Sequence, residues 1–320
     1  MEPYVLLPEN ILRQFIDACT VYKEYRRAKA DASHYSGGMY WKAQGPYEYL
    51  IRTTSDNRQI RLGRRSAATE NDYNSFKRNK DEVETRLRNL RDAVREAERV
   101  NKALRVGHVP PSVVDFLTRL DDARVTDSFT AVGSAAMFAY AARAGVRISK
   151  AASPVGDSGR FAGTRNKICV LVDGATSDDA LLRMLQLAEK SYRWKDAQCL
   201  VAVNERGFEV ECLRRSNLRR DFLVVPRSRA ENHTSASPRA DESVLAGEKL
   251  EQIIVASTGR MAILRTLHPK IFIELNVSIT SGIVRGGSEH SGHELFEARL
   301  VQRLIDDGLL ETLELPDRNE

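Results

Sequence analysis

Several features that would identify a protein class at a glance are missing. Cysteine is scarce: Cys19, Cys169, Cys199 and Cys212 are scattered, and no two form a Cys-x-x-Cys pair. This argues against a disulfide framework or a zinc site. Three of the four fall in apolar, strand-like runs, which reads as buried free thiols in a reducing compartment. No apolar run approaches the roughly 18 residues that a membrane-spanning helix requires. The opening Met1-Glu2-Pro3-Tyr4 lacks the basic region and apolar core of a secretory leader, so the expected address is the cytosol, with no membrane partner. Excess charge is small, 49 basic against 44 acidic side chains for a net +5, which permits a polyanionic partner without demanding one.

What is present suggests a mixed α and β chain. A length of 320 residues accommodates one large core or two smaller ones. Residues 8–30 place Ile11, Phe15, Ala18, Tyr22 and Tyr25 on one helical stripe. Three short alternating runs follow, Met39 to Ala43, Tyr47 to Thr54 and Arg58 to Gly63, parted by turn residues; they predict a three-stranded antiparallel meander. Its aromatics and its basic edge (Arg61, Arg64, Arg65) suit contact with phosphate or nucleic acid, although charge on an edge strand also serves simply to block sheet-to-sheet pairing. From Asn71 to Arg105 apolar residues recur in steps of three and four over more than four heptads. That seam predicts a long helix, paired either with the helix at residues 8–30 or with a second copy in a homodimer. Lys80 and Asn101 lie on the seam, where polar residues tend to fix register and partner.

The second half holds the densest pattern. Thr130 to Ala136 runs from an apolar entry into Gly133-Ser134 and then a helix that breaks at Gly145. A glycine that tolerates a tight turn and a serine that can cap make a good helix start, with free N–H groups aimed at an anion. Ile168 to Val172 reads as a buried strand, and Glu209 and Glu211 share one face of another. Ser177 to Lys190 predicts a helix, Asp221 to Val225 an edge strand, Glu251 to Ser257 and Arg260 to Leu264 a strand pair, and Pro269 to Val277 and Glu294 to Asp307 two more helices. Residues 226–242 and 281–292 read as exposed loops. The expected organisation is an N-terminal region at 1–109, a core at 110–225 and a C-terminal part at 226–320.

Gly133-Ser134, the run Ala139-Tyr140…Ala144-Gly145-Val146, Thr164-Arg165-Asn166-Lys167-Ile168 and Val210-Glu211-Cys212 together resemble a family of bacterial nucleotidyltransferase-fold proteins within the DNA polymerase β-like superfamily. The likeness extends to Leu62-Gly63-Arg64-Arg65-Ser66 and to residues 259–270. It implies an α+β fold in which a mixed, nucleotidyltransferase-like sheet is flanked by helices. It implies an NTP gripped at Gly133, Ser134 and Thr164, and Mg²⁺ held by a Thr-x-Asp-hydrophobic-Asp strand with a third carboxylate, here Glu211.

The departures carry as much information. The two strand positions stand as Asn166 and Ile168, degenerate replacements for metal-binding carboxylates, leaving Glu211 as a weak lone metal ligand. Asn276 and His293-Glu294 stand where the family has a lysine and an Arg-Asp pair. Alternation puts Arg165 and Lys167 on the face opposite Asn166 and Ile168. Two readings result. One is an enzyme that uses Mg²⁺ to move a nucleotide from an NTP to an unknown acceptor, with weak or lost activity; the other is a pseudoenzyme that needs no metal and serves as a nucleotide-binding, nucleic-acid-binding or assembly module. Asp157, Asp173 or Glu209 would serve as substitute ligands if the alignment slips. Gly156-Asp157-Ser158-Gly159-Arg160 has no positioned His and Asp to make a triad, and His290-x-x-His293, whose spacing could bind zinc on one helical face, sits in a glycine-rich loop.

Overall fold

The computed structural model describes residues 2–149, 166–172, 176–196, 200–214, 249–283 and 291–310. The chain divides into two compact units, residues 13–104 and residues 1–12 with 105–320. No helix among the described residues is long and apolar enough to cross a membrane.

In the unit of residues 13–104, helix α1 (Glu9–His34) contributes most of its length and helix α2 (Ala67–Ala103) all of it. Ser66 caps α2 through the Thr69 N–H, and the Thr69 hydroxyl returns to the Ser66 N–H. The reciprocal capping satisfies donors that a helix start otherwise leaves open. The two helices form an antiparallel hairpin: Gln14 donates to Asn101 at 3.1 Å near one end, and Arg86 pairs with Glu24 at 3.0 Å farther along. Asn101, one of the two polar seam residues, is fully buried and is satisfied there by Gln14. Strands β2 (Gly38–Gln44), β3 (Tyr47–Thr53) and β4 (Gln59–Arg64) form the expected meander, with one face against α2 through Trp41 and Tyr73.

The other unit is built on a seven-stranded mixed sheet. Strands β5 (Phe129–Val132), β7 (Lys167–Val172) and β10 (Glu209–Arg214) lie at its centre. They are flanked on one side by β11 (Lys249–Val255) and β12 (Met261–Leu267), and on the other by β9 (Val201–Val203) and β8 (Arg193–Asp196), giving the order β11-β12-β5-β7-β10-β9-β8. β7 is antiparallel to β5 and parallel to β10. The N-terminal strand β1 (Tyr4–Leu6) pairs with β6 (Val146–Ile148), which follows helix α4 (Ala136–Ala144) after the left-handed Gly145. Because β11 and β12 belong to the same sheet as β5 and β7, the stretches expected as 110–225 and 226–320 share one architecture.

Both faces of this sheet are covered. Helices α3 (Pro111–Asp122) and α5 (Asp178–Ala188) pack on one, burying Val113, Phe116, Leu120, Leu181 and Leu185 against Ile168, Val170, Val210 and Cys212. Helices α6 (Pro269–Ile283) and α7 (Ser291–Asp306) belong to the second cluster, in which Phe272, Leu300, Val301 and Leu304 meet Tyr140 and Leu171. The mixed sheet flanked by helices, with a helical and meander region before it, is the α+β fold expected. α6 runs to Ile283 and α7 starts at Ser291, so both ends of the loop expected at 281–292 are helical, and residues 284–290 lie outside the described residues. The expected strand at 221–225 and the loop at 226–242 lie outside the described residues.

Candidate functional site

The site is built at the end of β5. After Val132 the chain turns through Gly133, whose φ of +60° lies in the left-handed region that favours glycine. Among the described residues, no atom beyond its chain neighbours stands within 4 Å of where a Cβ at Gly133 would sit, so none of them crowds its backbone. Gly133–Ala135 is a 3-10 turn, and α4 starts at Ala136 with no side-chain cap. The Ser134 hydroxyl does not cap that helix. It donates to Glu297 Oε1 at 2.6 Å, and Glu297, on α7, is only 2% exposed.

Strand alternation then decides which side chains join this corner. Ile168, Val170 and Val172 point into the layer under α3 and α5, as do Val210 and Cys212. Lys167 and Cys169 therefore occupy the opposite face of β7, and Glu209 and Glu211 the same face of β10. The parallel register sets Glu209 beside Lys167 and Glu211 beside Cys169. Across the antiparallel β5 pair, Cys169 lies opposite Val132, one residue before Gly133.

Lys167 Nζ meets Glu211 Oε2 at 2.7 Å. Burial works to lower the Lys167 pKa, but its hydrogen bond to Glu211 and the charge of that carboxylate outweigh it and hold the ammonium above its ordinary value. Desolvation drives the Cys169 thiol far up, Glu211 adds to this, Lys167 opposes it, and Glu297 contributes from α7. Glu209 is ion-paired with Lys195. The corner thus gathers Gly133, Ser134, Lys167, Cys169, Glu211 and Glu297.

The expected residues divide accordingly. Gly133, Ser134 and Glu211 come together around the β5–β7 junction. Ile168 does not join them: it is 1% exposed in the opposite core layer. Asn166 is exposed ahead of β7, and its backbone carbonyl accepts from the Glu209 N–H at 2.7 Å. Thr164, Arg165, Asp157 and Asp173 lie outside the described residues. Asn276 is buried on α6. Cys169 and Glu297 are the residues that the sequence reading missed. For Glu297 a signal existed, since it falls on the same helical stripe as Leu300, Val301 and Leu304, where a carboxylate is out of place.

This donor set does not fit a divalent cation. The two β7 positions facing the corner carry an ammonium and a thiol held protonated, one Glu211 oxygen is taken by Lys167, and Glu297 accepts from Ser134. Hard cations such as Mg²⁺ require several free oxygens at close range. Among the described residues no group of three His, Cys, Asp or Glu is arranged to hold a metal.

In residues 13–104 the three arginines expected at a phosphate contact separate. Arg65 is ion-paired with Glu48 at 2.6 Å and Glu70 at 2.7 Å and lies over Trp41. Arg61 stacks over the Tyr49 ring at 3.3 Å and Arg64 over the Tyr47 ring at 3.4 Å.

A family model described as nucleotidyltransferase matches residues 112–285, more than half of the chain. No curated protein and no solved structure matches. The matched span runs from α3 through α6 and includes Gly133, Ser134, Lys167, Cys169 and Glu211. It leaves Glu297 on α7 and all of residues 13–104 outside.

Proposed function

The chain belongs to the nucleotidyltransferase family, and from that premise we propose that it binds a nucleotide at the Gly133–Ser134 corner and has lost metal-dependent transfer. Membership supports nucleotide transfer in general as the chemistry of the fold. The observation that carries the narrower reading is the Lys167–Glu211 ion pair at 2.7 Å. A fixed ammonium stands beside the carboxylate where family chemistry needs a divalent ion. A lysine neutralises charge as a metal does, but it does not activate an attacking hydroxyl or bridge phosphates as a metal does. The uncrowded backbone at Gly133 suits the close approach of a phosphate, and the cytosolic address belongs to the same reading. No second copy is invoked, since the α2 seam is used by α1 within the chain.

The test is a titration of the full chain with ATP, GTP, CTP and UTP, in Mg²⁺, in Mn²⁺ and in chelator, beside an incubation with labelled NTP. The expected outcome is binding of at least one nucleotide with the same affinity in all three media, and no label transferred. Metal-dependent labelling that disappears in Glu211→Ala would restore the enzyme reading. Absence of binding to every nucleotide would overturn the reading of this corner as a nucleotide site.

A further inference from the structure

The outer face of the meander, in the unit of residues 13–104, carries a pattern that the nucleotide corner does not use. Register places Tyr40, Lys42, Tyr47, Tyr49, Arg61 and Arg64 on the face turned away from α2. Trp41, Leu50 and Arg52 occupy the opposite face, which packs toward Tyr73 and Phe76. No acidic residue lies on the outer face, and Lys42, Arg61 and Arg64 make no ion pair among the described residues. Arg65, by contrast, is spent on Glu48 and Glu70.

Two further facts bear on what this face is for. Each guanidinium carbon sits over a tyrosine ring, Arg61 on Tyr49 and Arg64 on Tyr47, and such stacking restrains the side chain without using up its N–H donors, which reduces the ordering cost of gripping an anion. Tyr40 and Tyr47 remain 38% and 40% exposed. Charge is also segregated. Residues 13–104 hold 20 basic and 13 acidic side chains, a net +7, whereas the rest of the chain, 29 against 31, is −2. The slight excess of the whole chain therefore conceals a strongly basic unit.

We propose that this sheet face binds single-stranded nucleic acid, with Lys42, Arg61 and Arg64 holding successive phosphates and a base stacked on Tyr40. A sheet face with exposed rings suits splayed bases, which a duplex does not offer. The proposal is independent of the nucleotide corner, which draws on other residues.

Fluorescence anisotropy of the full chain with labelled oligouridylate and oligothymidylate tests it, with a duplex of equal length and polyglutamate as competitors. Three phosphate contacts predict that log K falls with log salt at a slope of about −2. Arg61→Ala with Arg64→Ala should weaken binding at least about tenfold with an unchanged circular-dichroism spectrum. The paired lysine replacements should retain the salt slope while recovering only part of the affinity. Preference for the ribose or the deoxyribose strand identifies the natural ligand, and either supports the proposal. It is overturned if neither strand binds at low salt, which would leave the charge as a guard against edge pairing. Displacement by polyglutamate as readily as by oligonucleotide overturns it too, and so does affinity unchanged in the double variant.

Discussion

Crowding by the surrounding chain and a neighbouring cation set a pH response at His108, although its side chain keeps contact with solvent. Desolvation, with the positive charge of Arg147 added, lowers its pKa from 6.5 to about 4, against a small opposing contribution from the Gly107 backbone. The unfolded chain takes up this proton near pH 6.5 and the folded one near 4, so falling pH favours unfolding across that window. Stability from this group is complete above pH 6.5 and is lost by about pH 4. Urea midpoints of the native chain minus those of His108→Gln should therefore fall steadily between pH 7 and 4; parallel profiles would refute the assignment. None of this is visible in the sequence, where His108 is one residue in a short connector between Val106 and Val109. At the corner the sequence was more informative: Gly133, Ser134 and Glu211 were all legible from turn chemistry and alternation. Glu297 showed only as a carboxylate on an apolar stripe; its place at the site did not show, because its neighbours there come from segments more than eighty residues away.

At the scale of one strand, the placement of β7 explains the fate of Ile168. The resemblance aligned Asn166 and Ile168 with the lost carboxylates, but the strand starts at Lys167, and in a period of two a shift of one residue exchanges the faces. Hydrophobicity did not reveal this, because β7 is covered on both sides and Cys169 and Leu171 are as apolar as Ile168 and Val170. The placement predicts a gain of function. Lys167→Asp combined with Cys169→Asp sets two carboxylates on the face that already carries Glu211. Without metal the crowded charges should lower the melting temperature. Mn²⁺ at a hundredfold excess over its dissociation constant should return about 2.7 kcal/mol, several degrees for a unit of this size. The native chain should show no metal-dependent shift. A native melting curve that rises with Mn²⁺ would mean that oxygens outside this corner bind the ion.

At the scale of the molecule, the sequence revealed most elements but not how they group. The boundary at Leu12 falls inside the continuous helix α1, and residues 1–12 join the larger unit through a three-residue pairing of β1 with β6 across some 140 positions. Neither carries a composition signal. The grouping matters because it turns a net charge of +5 into +7 and −2, and it makes the basic unit testable by itself. A fragment of residues 13–104 retains Phe15, Tyr22, Leu50, Phe76 and Val94 as core, with the Gln14–Asn101 bond and the Arg86–Glu24 pair inside it. It should be helical by circular dichroism and monomeric in sedimentation, because its seam is already occupied. Free of the slightly acidic remainder, it should bind oligonucleotide at least as tightly as the full chain, with the same salt slope near −2. A folded fragment that binds tenfold more weakly would assign the contact to residues beyond this unit. A fragment that dimerises would return the α2 seam to a second copy.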